Sequence, residues 1–220
     1  MHLKLLDNGK FEPSNLNRQI FCFTDTDGRQ KTDVTEEYLK KINPEIKIEK
    51  YLTINEQNAD DFLKGTDVIV LSIDAVIPCL ILSRRARMLG IPLVEGWALA
   101  FANVRVFTQD TPTLEEVYRF PTIGRDISSV SKEEAFDLMI QSLLVIKEQF
   151  KGVGDYYPDS ALKRLPEENK GTTLCPCVWL TAIMMANEAM KIILKRGKLA
   201  LAPKFAVYDP FNHQIPEQVI

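Results

Sequence analysis

The chain has 220 residues, of which 45% are hydrophobic and 26% are charged, and its formal net charge is -3. This length and composition fit one large domain with a sizeable core, or one domain that carries an insertion. A weakly acidic chain with short, scattered basic stretches lacks the basic patch that neutralises nucleic-acid phosphates, so we expect no DNA partner.

The sequence also favours a cytoplasmic protein. Residues 1–6 are too short for the apolar core of a secretory signal. Four irregularly spaced cysteines do not form a disulfide framework. We predict no membrane association, because the longest apolar segment, 178–194, falls short of the roughly 20 residues that a membrane helix needs. It is interrupted by Thr181, Asn187, Glu188 and Lys191.

Strand and helix patterns alternate along the chain. Taken in order, the sequence predicts a strand at 3–6, a helix at 32–42, a strand at 46–52, a short helix at 60–63 and a strand at 68–73. A helix at 77–89 follows, then strands at 92–94 and 104–107, a helix at 178–195 and a strand at 205–208. The β-branched run at 68–73 predicts a strand buried on both faces. This order is typical of a doubly wound α/β fold.

Residues from about 110 to 173 are polar and rich in turn formers, which predicts an irregular insertion in a single domain spanning 1–220. We expect one helix there, at 132–150, with Ser131 and Glu134 spaced as a capping box.

The residues best suited to chemistry begin where the first strand ends. Asp7 occupies the position at which Rossmann-like sheets bind ribose hydroxyls. Asn15, Arg18 and Gln19 are three and four residues apart, so they share one face if the segment forms a helical turn. The planar guanidinium of Arg18 suits phosphate oxygens, and Lys31 adds a second positive charge.

A second acidic residue, Asp74, follows the predicted strand at 68–73, at the end where open α/β sheets bind ligands. There it would hold a Mg²⁺ ion that bridges phosphates. Each residue also has a simpler explanation. Asp7 would cap the end of a strand, Lys31 would lie on the surface, and Asp74 would be the N-cap of the next helix.

Together these motifs resemble the ThiF/MoeB/HesA and ubiquitin-activating superfamily. The resemblance is carried by Ser14-Asn15-Leu16-Asn17-Arg18-Gln19 after Asp7, by Gly28-Arg29-Gln30-Lys31 and by Leu39-Lys40-Lys41-Ile42-Asn43-Pro44. Later segments fit in the same order, namely 72–74, 91–96, 104–107 and 180–194. The resemblance is weak between about 118 and 173.

The resemblance implies a Rossmann-like fold and an ATP-dependent adenylyltransferase that activates a carboxylate and releases pyrophosphate. The acceptor would be the C-terminus of a ubiquitin-like or sulfur-carrier protein, and the protein would be a homodimer. Asp7 would bind the ribose of ATP, Asn15, Arg18 and Lys31 would contact its phosphates, and Gln19 would also belong to the nucleotide-binding set. Arg18, Lys31 and Asp74 would form the catalytic set, with Asp74 positioning Mg²⁺.

One family feature is missing ahead of Asp7. Relatives have a first strand, a GxGGxG-type loop and a helix before this acidic residue, whereas Asp7 is the seventh residue here. Either an upstream segment is lost from this reading frame, or a partner chain supplies the strand. We favour the first, because residues 2–7 resemble the interior of the family's second strand. The fold would then be truncated at its N-terminal edge, and this chain alone would be inactive. The alternative function is a non-catalytic ThiF-like subunit that binds a partner protein.

The cysteines depart from the family as well. Many relatives bind a structural zinc ion through two CxxC pairs, but Cys175-Pro176-Cys177 is not such a pair, so we expect no zinc. Cys175 and Cys177 stand at a predicted helix N-terminus, which makes them either a reactive thiol or packing residues. Cys79 falls on an apolar helix face and is expected in the core.

Overall fold

The computed structural model describes residues 1–150, 156 and 173–219, and these residues form two compact units, Met1–Lys64 and Gly65–Ile220. Most of the last third of the predicted insertion lies outside the described residues. The prediction of a single domain spanning 1–220 stays a prediction.

The first unit is a parallel strand pair joined by a helical crossover. Strand β1 (His2–Leu6) pairs with β2 (Lys47–Tyr51) in a register that places His2 opposite Lys47. A 3-10 turn (Pro13–Asn15) and helix α1 (Lys31–Ile42) lie between them, and helix α2 (Ala59–Leu63) follows β2. Parallel strands need such a crossover because a tight turn joins only antiparallel strands.

The second unit contains a four-stranded sheet in the order β3-β4-β5-β6. Its strands are β3 (Ile69–Leu71), β4 (Leu93–Glu95), β5 (Ala102–Phe107) and β6 (Ala206–Tyr208). The pair β3 and β4 is parallel and is joined by helix α3 (Val76–Leu89), whereas β5 and β6 each pair antiparallel with the preceding strand.

Three more helices complete the second unit. They are α4 (Leu114–Tyr118), α5 (Lys132–Gln149) and α6 (Cys175–Leu194). Helix α4 was not predicted, although its N-terminus is a complete capping box formed by Thr113 and Glu116. Helix α5 begins as expected, since the hydroxyl of Ser131 accepts a hydrogen bond from the backbone N–H of Glu134 at 3.1 Å.

Helix α6 covers one face of this sheet. Its side chains Thr181 and Met185 are buried with Val94, Val104 and Val106 of the strands. By length and composition alone it is also long and apolar enough to cross a membrane, with a mean hydropathy of 1.5. Our prediction that no apolar segment reaches this length was wrong, because the helix begins at Cys175 instead of 178.

The expectation that 68–73 is buried on both faces was also wrong. Ile69 and Leu71 are buried, but Val70 between them is 49% exposed. Alternate residues of a strand point to opposite faces, so only one face of β3 is covered.

Gly96 directly follows β4 and lies against α6. A Cβ atom added there would lie 2.6 Å from Sδ of Met185 and 2.7 Å from Cγ2 of Thr181. We therefore expect Gly96→Ala to lower the free energy of unfolding by about 1–3 kcal/mol, as overpacked cores do. Urea denaturation measures this. Gly124→Ala is the comparison, because its added Cβ meets no atom and it should cost only the roughly 1–2 kcal/mol of a residue with positive φ.

Candidate functional site

The first part of the site lies immediately after β1. The carboxylate of Asp7 accepts a hydrogen bond from the backbone N–H of Gly9 through Oδ1 at 2.7 Å. Its other oxygen, Oδ2, lies 3.9 Å from Nζ of Lys31, the first residue of α1. The side chain of Asp7 is 43% exposed and that of Lys31 23% exposed. The predicted ribose-binding and phosphate-binding residues therefore stand side by side at the carboxyl end of β1.

Gln30, which the motif included without a role, and Gly9 hold this arrangement. The side-chain amide of Gln30 donates to the carbonyl oxygens of Asp7 at 3.1 Å and of Gly9 at 2.9 Å. A Cβ atom at Gly9 would lie 3.0 Å from Oδ1 of Asp7 and 3.2 Å from Nζ of Lys31. Because Gly9 has no side chain, the carboxylate of Asp7 and the ammonium group of Lys31 have room to approach each other.

The turn at 14–19 has helical character, which was the condition for Asn15, Arg18 and Gln19 to share one face. The backbone N–H groups of Arg18 and Gln19 both donate to the carbonyl oxygen of Asn15, at 3.1 and 2.9 Å. Asn15 itself is 7% exposed, and its Oδ1 accepts from the N–H of Glu12 at 3.2 Å. The side chain of Asn15 therefore closes a capping box and fixes the turn.

Arg18 projects from this turn and is bound to it. Its Nη1 donates to the carbonyl oxygen of Ser14 at 2.7 Å and to Oδ1 of Asn17 at 2.9 Å. Behind the turn, Phe11, Cys22 and Val34 form a small buried cluster. The loop that carries Arg18 is thus anchored on α1 through Val34. The guanidinium of Arg18 is held close to this loop by its hydrogen bonds to Ser14 and Asn17.

Asp74 belongs to the second unit and follows β3. It is exposed, and the N-cap of α3 is its neighbour Ala75, so Asp74 does not have the capping role that was its simpler explanation. Among residues 1–150, 156 and 173–219, no three His, Cys, Asp or Glu side chains lie together as a metal site. A single exposed carboxylate does fit Mg²⁺, which keeps several waters and takes its other ligands from substrate phosphates.

A buried polar network, which the sequence did not predict, lies at the end of β4. Glu95 faces Arg105 across the strand pair, and its Oε2 accepts from Nε of Arg105 at 2.6 Å. The hydroxyl of Tyr118 donates to Oε1 of Glu95 at 2.9 Å and accepts from Nε1 of Trp97 at 2.6 Å. Burial raises the pKa of Tyr118 well above its usual value, and the charge of Glu95 adds to this, so the hydroxyl stays protonated and donates.

The network fixes the loop that follows β4. The side chain of Asn103 binds both backbone groups of Trp97, accepting from its N–H at 2.9 Å and donating to its carbonyl at 2.8 Å. Arg105 is fully buried, and the rings of Phe107, Tyr118 and Phe205 lie 4.1–5.0 Å from its guanidinium carbon. Within the described residues its Nη2 has no hydrogen-bond partner.

The surroundings of Cys79 and Cys177 indicate packing residues and not reactive thiols. Cys177 is fully buried and donates to the carbonyl oxygen of Ala100 at 2.9 Å, and burial raises its pKa. Cys79 donates to the carbonyl oxygen of Ile73 at 3.2 Å, and burial raises its pKa as well. Since the thiolate is the reactive form, neither sulfur is poised as a nucleophile.

The sequence pattern of the ThiF family matches residues 1–219. The chain belongs to the ThiF family. Among its relatives, the adenylyltransferase and sulfurtransferase UBA4 of Kluyveromyces lactis is 25% identical over 194 residues, which cover 86% of this chain and 35% of UBA4. The sulfur carrier protein adenylyltransferase of Thermus thermophilus is 30% identical over 109 residues, which cover 49% of this ThiF chain and 40% of that protein.

Solved structures agree on the fold. A crystal structure of E. coli MccB with MccA-N7isoASN matches 99% of this chain and 57% of the MccB chain, with a TM-score of 0.66 and 20% identity. MccB with ATP matches 99% of this chain and 56% of its own, with a TM-score of 0.64. The ThiF chain therefore has the α/β, Rossmann-like fold that was predicted. It spans a little over half the length of these MccB chains, 56–57%, and 35–40% of the length of the two curated relatives above.

Proposed function

We propose that this ThiF-family chain carries the ribose-binding and phosphate-binding side chains of an ATP-dependent adenylyltransferase that activates a carboxylate. The observation that carries the proposal is the pairing of Asp7 and Lys31 after β1. One oxygen of Asp7 is occupied by the N–H of Gly9, which leaves Oδ2 to accept from a ribose hydroxyl. Lys31 and Arg18 supply positive charge on the same unit, which favours a polyphosphate.

In this reaction a carboxylate oxygen of the acceptor attacks the α-phosphorus of ATP. The bond from that phosphorus to the bridging oxygen breaks, and pyrophosphate leaves with the electron pair. Negative charge grows on the oxygens around phosphorus, and fixed cations that face those oxygens stabilise the transition state. Lys31 and Arg18 have this role. Asp74, on the second unit, is the residue that would hold Mg²⁺, an ion that neutralises phosphate charge when bound.

A sulfur-carrier or ubiquitin-like protein is the acceptor that we propose. The support is the similarity to the Thermus thermophilus enzyme, whose name gives a sulfur carrier protein as its substrate. A SAMP-activating enzyme E1 of Haloferax volcanii is similarly 30% identical over 95 residues.

The phosphate site needs backbone donors beyond the side chains described above. Glycine-rich loops at helix N-termini supply such donors in nucleotide-binding folds. Among the described residues, β1 is hydrogen-bonded to β2 alone, so its other edge is open to a parallel strand. We propose that a strand, glycine loop and helix pairing with this edge complete the site, from an upstream segment or from a partner chain.

ATP binding to the 220-residue chain tests the role of Asp7. Calorimetric titration with ATP should show that Asp7→Ala weakens binding about 10- to 100-fold, the effect of losing one hydrogen bond to a charged group. Asp33→Ala, in the first turn of α1, is the matched control, because the carboxylate of Asp33 pairs with Lys50 at 2.8 Å. Equal affinities for the Asp7 and Asp33 variants would refute the ribose role.

Pyrophosphate exchange separates an enzyme from a binding subunit. With a sulfur-carrier protein as the acceptor, we expect little ATP–pyrophosphate exchange from the 220 residues alone, because under this proposal the completing strand and loop must be added to them. Both functions predict ATP binding that depends on Asp7 without exchange, so the deciding result is whether an added completing segment restores turnover, as expected for the enzyme, or fails to, as expected for the non-catalytic subunit. Robust exchange by the chain alone would show that no such segment is needed.

A further inference from the structure

The loop after β4 carries a tryptophan that is only partly covered. Glu95 ends β4, and Trp97 stands two residues beyond it. Leu71, the last residue of β3, lies opposite Glu95 in the parallel register, so the two strands end at the same level. The segments that follow them carry Asp74 and Trp97, and both leave the sheet at its carboxyl edge. This is the edge at which open α/β sheets bind ligands.

Trp97 is fixed there through its backbone and its side chain. Its N–H donates to Oδ1 of Asn103 at 2.9 Å, and its carbonyl oxygen accepts from Nδ2 of Asn103 at 2.8 Å. The indole Nε1 donates to the hydroxyl of Tyr118 at 2.6 Å, and the two rings meet edge to face with centroids 6.0 Å apart. Since the indole N–H is the only polar group of the side chain, the ring offers a ligand an apolar surface.

The support behind Trp97 is a buried ion pair. Tyr118 donates to Oε1 of Glu95 at 2.9 Å, and Oε2 of Glu95 accepts from Nε of Arg105 at 2.6 Å. Arg105 and Tyr118 are fully buried. A buried ion pair contributes little stability compared with apolar side chains of the same volume, whereas its hydrogen bonds hold one geometry. The result of this network is a single orientation of the Trp97 ring at the carboxyl edge.

We propose that Trp97 contacts the acceptor of the adenylation reaction, next to the reacting carboxylate, and that Tyr118 and Glu95 are positioning residues that hold its ring for this contact. The inference rests on the proposed function. An acceptor whose carboxylate reaches a phosphate near Asp74 must approach the edge that Trp97 borders. An uncharged, apolar ring does not suit phosphates, but it packs well on the backbone and side chains of a peptide.

Two nucleosides separate an acceptor contact from a nucleotide contact. Adenosine sulfamate carries the nucleoside alone, and its derivative acylated on the sulfamate nitrogen with acetyl-trialanine also carries the last residues of a peptide acceptor. In calorimetric titration of the 220-residue chain, the acylated compound should bind about 10-fold more tightly than adenosine sulfamate. Trp97→Ala should abolish this gain and leave the affinity for adenosine sulfamate unchanged. Trp97→Phe should keep most of the gain, because an aromatic ring remains.

Fluorescence measures the positioning of the ring. The chain has two tryptophans, so Trp179→Phe leaves Trp97 as the single emitter and is also the matched control for binding. In this background the anisotropy decay of Trp97 should be that of a fixed ring. Tyr118→Phe should add a fast component, since it removes the hydroxyl that accepts from the indole N–H. It should also reduce the gain from acylation, with unchanged circular dichroism showing that the fold persists.

The outcomes distinguish this contact from the proposed function. Equal affinities of the two nucleosides for the unmodified chain would overturn the contact alone, as would a full gain in Trp97→Ala. A loss of affinity for adenosine sulfamate in Trp97→Ala would overturn it by assigning the ring to the nucleoside. Binding of adenosine sulfamate that is lost in Asp7→Ala upholds the proposed function whatever Trp97 does. If neither nucleoside binds, the proposed function fails and the acceptor contact fails with it.

Discussion

Replacing Glu95 by glutamine should lower the free energy of unfolding by about 3–5 kcal/mol, the effect of leaving one charge of a buried pair without its partner. Arg105 is fully buried, and Glu95 is 4% exposed. The guanidinium has Glu95 as its only anionic partner among the described residues. Without that carboxylate it faces three aromatic rings and one carbonyl oxygen, that of Pro203.

Urea denaturation of Glu95→Gln, Arg105→Met and the double variant measures this effect. The double variant should recover much of the loss, because it removes both charges and leaves an apolar side chain of similar length. Lys41→Gln is the control, since its pair with Glu37 is exposed and should be worth less than 1 kcal/mol. A loss below 1 kcal/mol in Glu95→Gln would mean that Arg105 finds another partner.

The second large effect is expected on the catalytic rate when Lys31 or Arg18 is replaced. In a preparation that catalyses ATP–pyrophosphate exchange, Lys31→Ala should reduce kcat about 100- to 1,000-fold, and Arg18→Ala should do the same. Both losses arise because the charge that develops on the transferred phosphate then lacks a cation. The Lys31 side chain is already oriented by its place at the start of α1, beside Asp7.

Lys40→Ala is the matched control on the same helix. Lys40 pairs with Glu36 at 2.6 Å and is half-exposed, so its loss should leave the exchange rate unchanged. Initial-rate kinetics at saturating ATP separate an effect on kcat from an effect on KM. A near-normal kcat in both Lys31→Ala and Arg18→Ala would remove these residues from the mechanism and leave the chain a nucleotide-binding subunit.

The sequence alone was enough for most of the elements and for the neighbourhood of Asp7 and Lys31, but not for helix α4. Apolar periodicity and turn residues are local signals, and they placed α1, α3 and every strand within a few residues. The same local logic put Asp7 at a strand end, and the helical turn at 14–19 meets the condition under which Asn15, Arg18 and Gln19 share one face. Asp7 and Lys31 came together as expected, because the loop after β1 brings the first residue of α1 back to the carboxyl end of that strand.

Other features depended on contacts between distant residues. The pairing of Glu95 with Arg105 follows from the register of β4 against β5, which neither strand encodes by itself. Asn15, predicted to meet phosphates, uses its side chain to close its own turn, while Gln30 and Gly9 shape the loop around Asp7. A sequence pattern identifies a polar residue but not which of several partners it binds.

The first strand and the turn at 14–19 are therefore properties of the sequence, because periodic burial and short-range hydrogen bonds fix them. The tertiary structure decided which surfaces remain exposed. An apolar helix of 20 residues reads as a core element, yet only the packing of its sheet-facing side shows that Ile183 and Met190 lie uncovered. Burial depends on what the rest of the chain places against a residue, and that is decided only when the elements assemble.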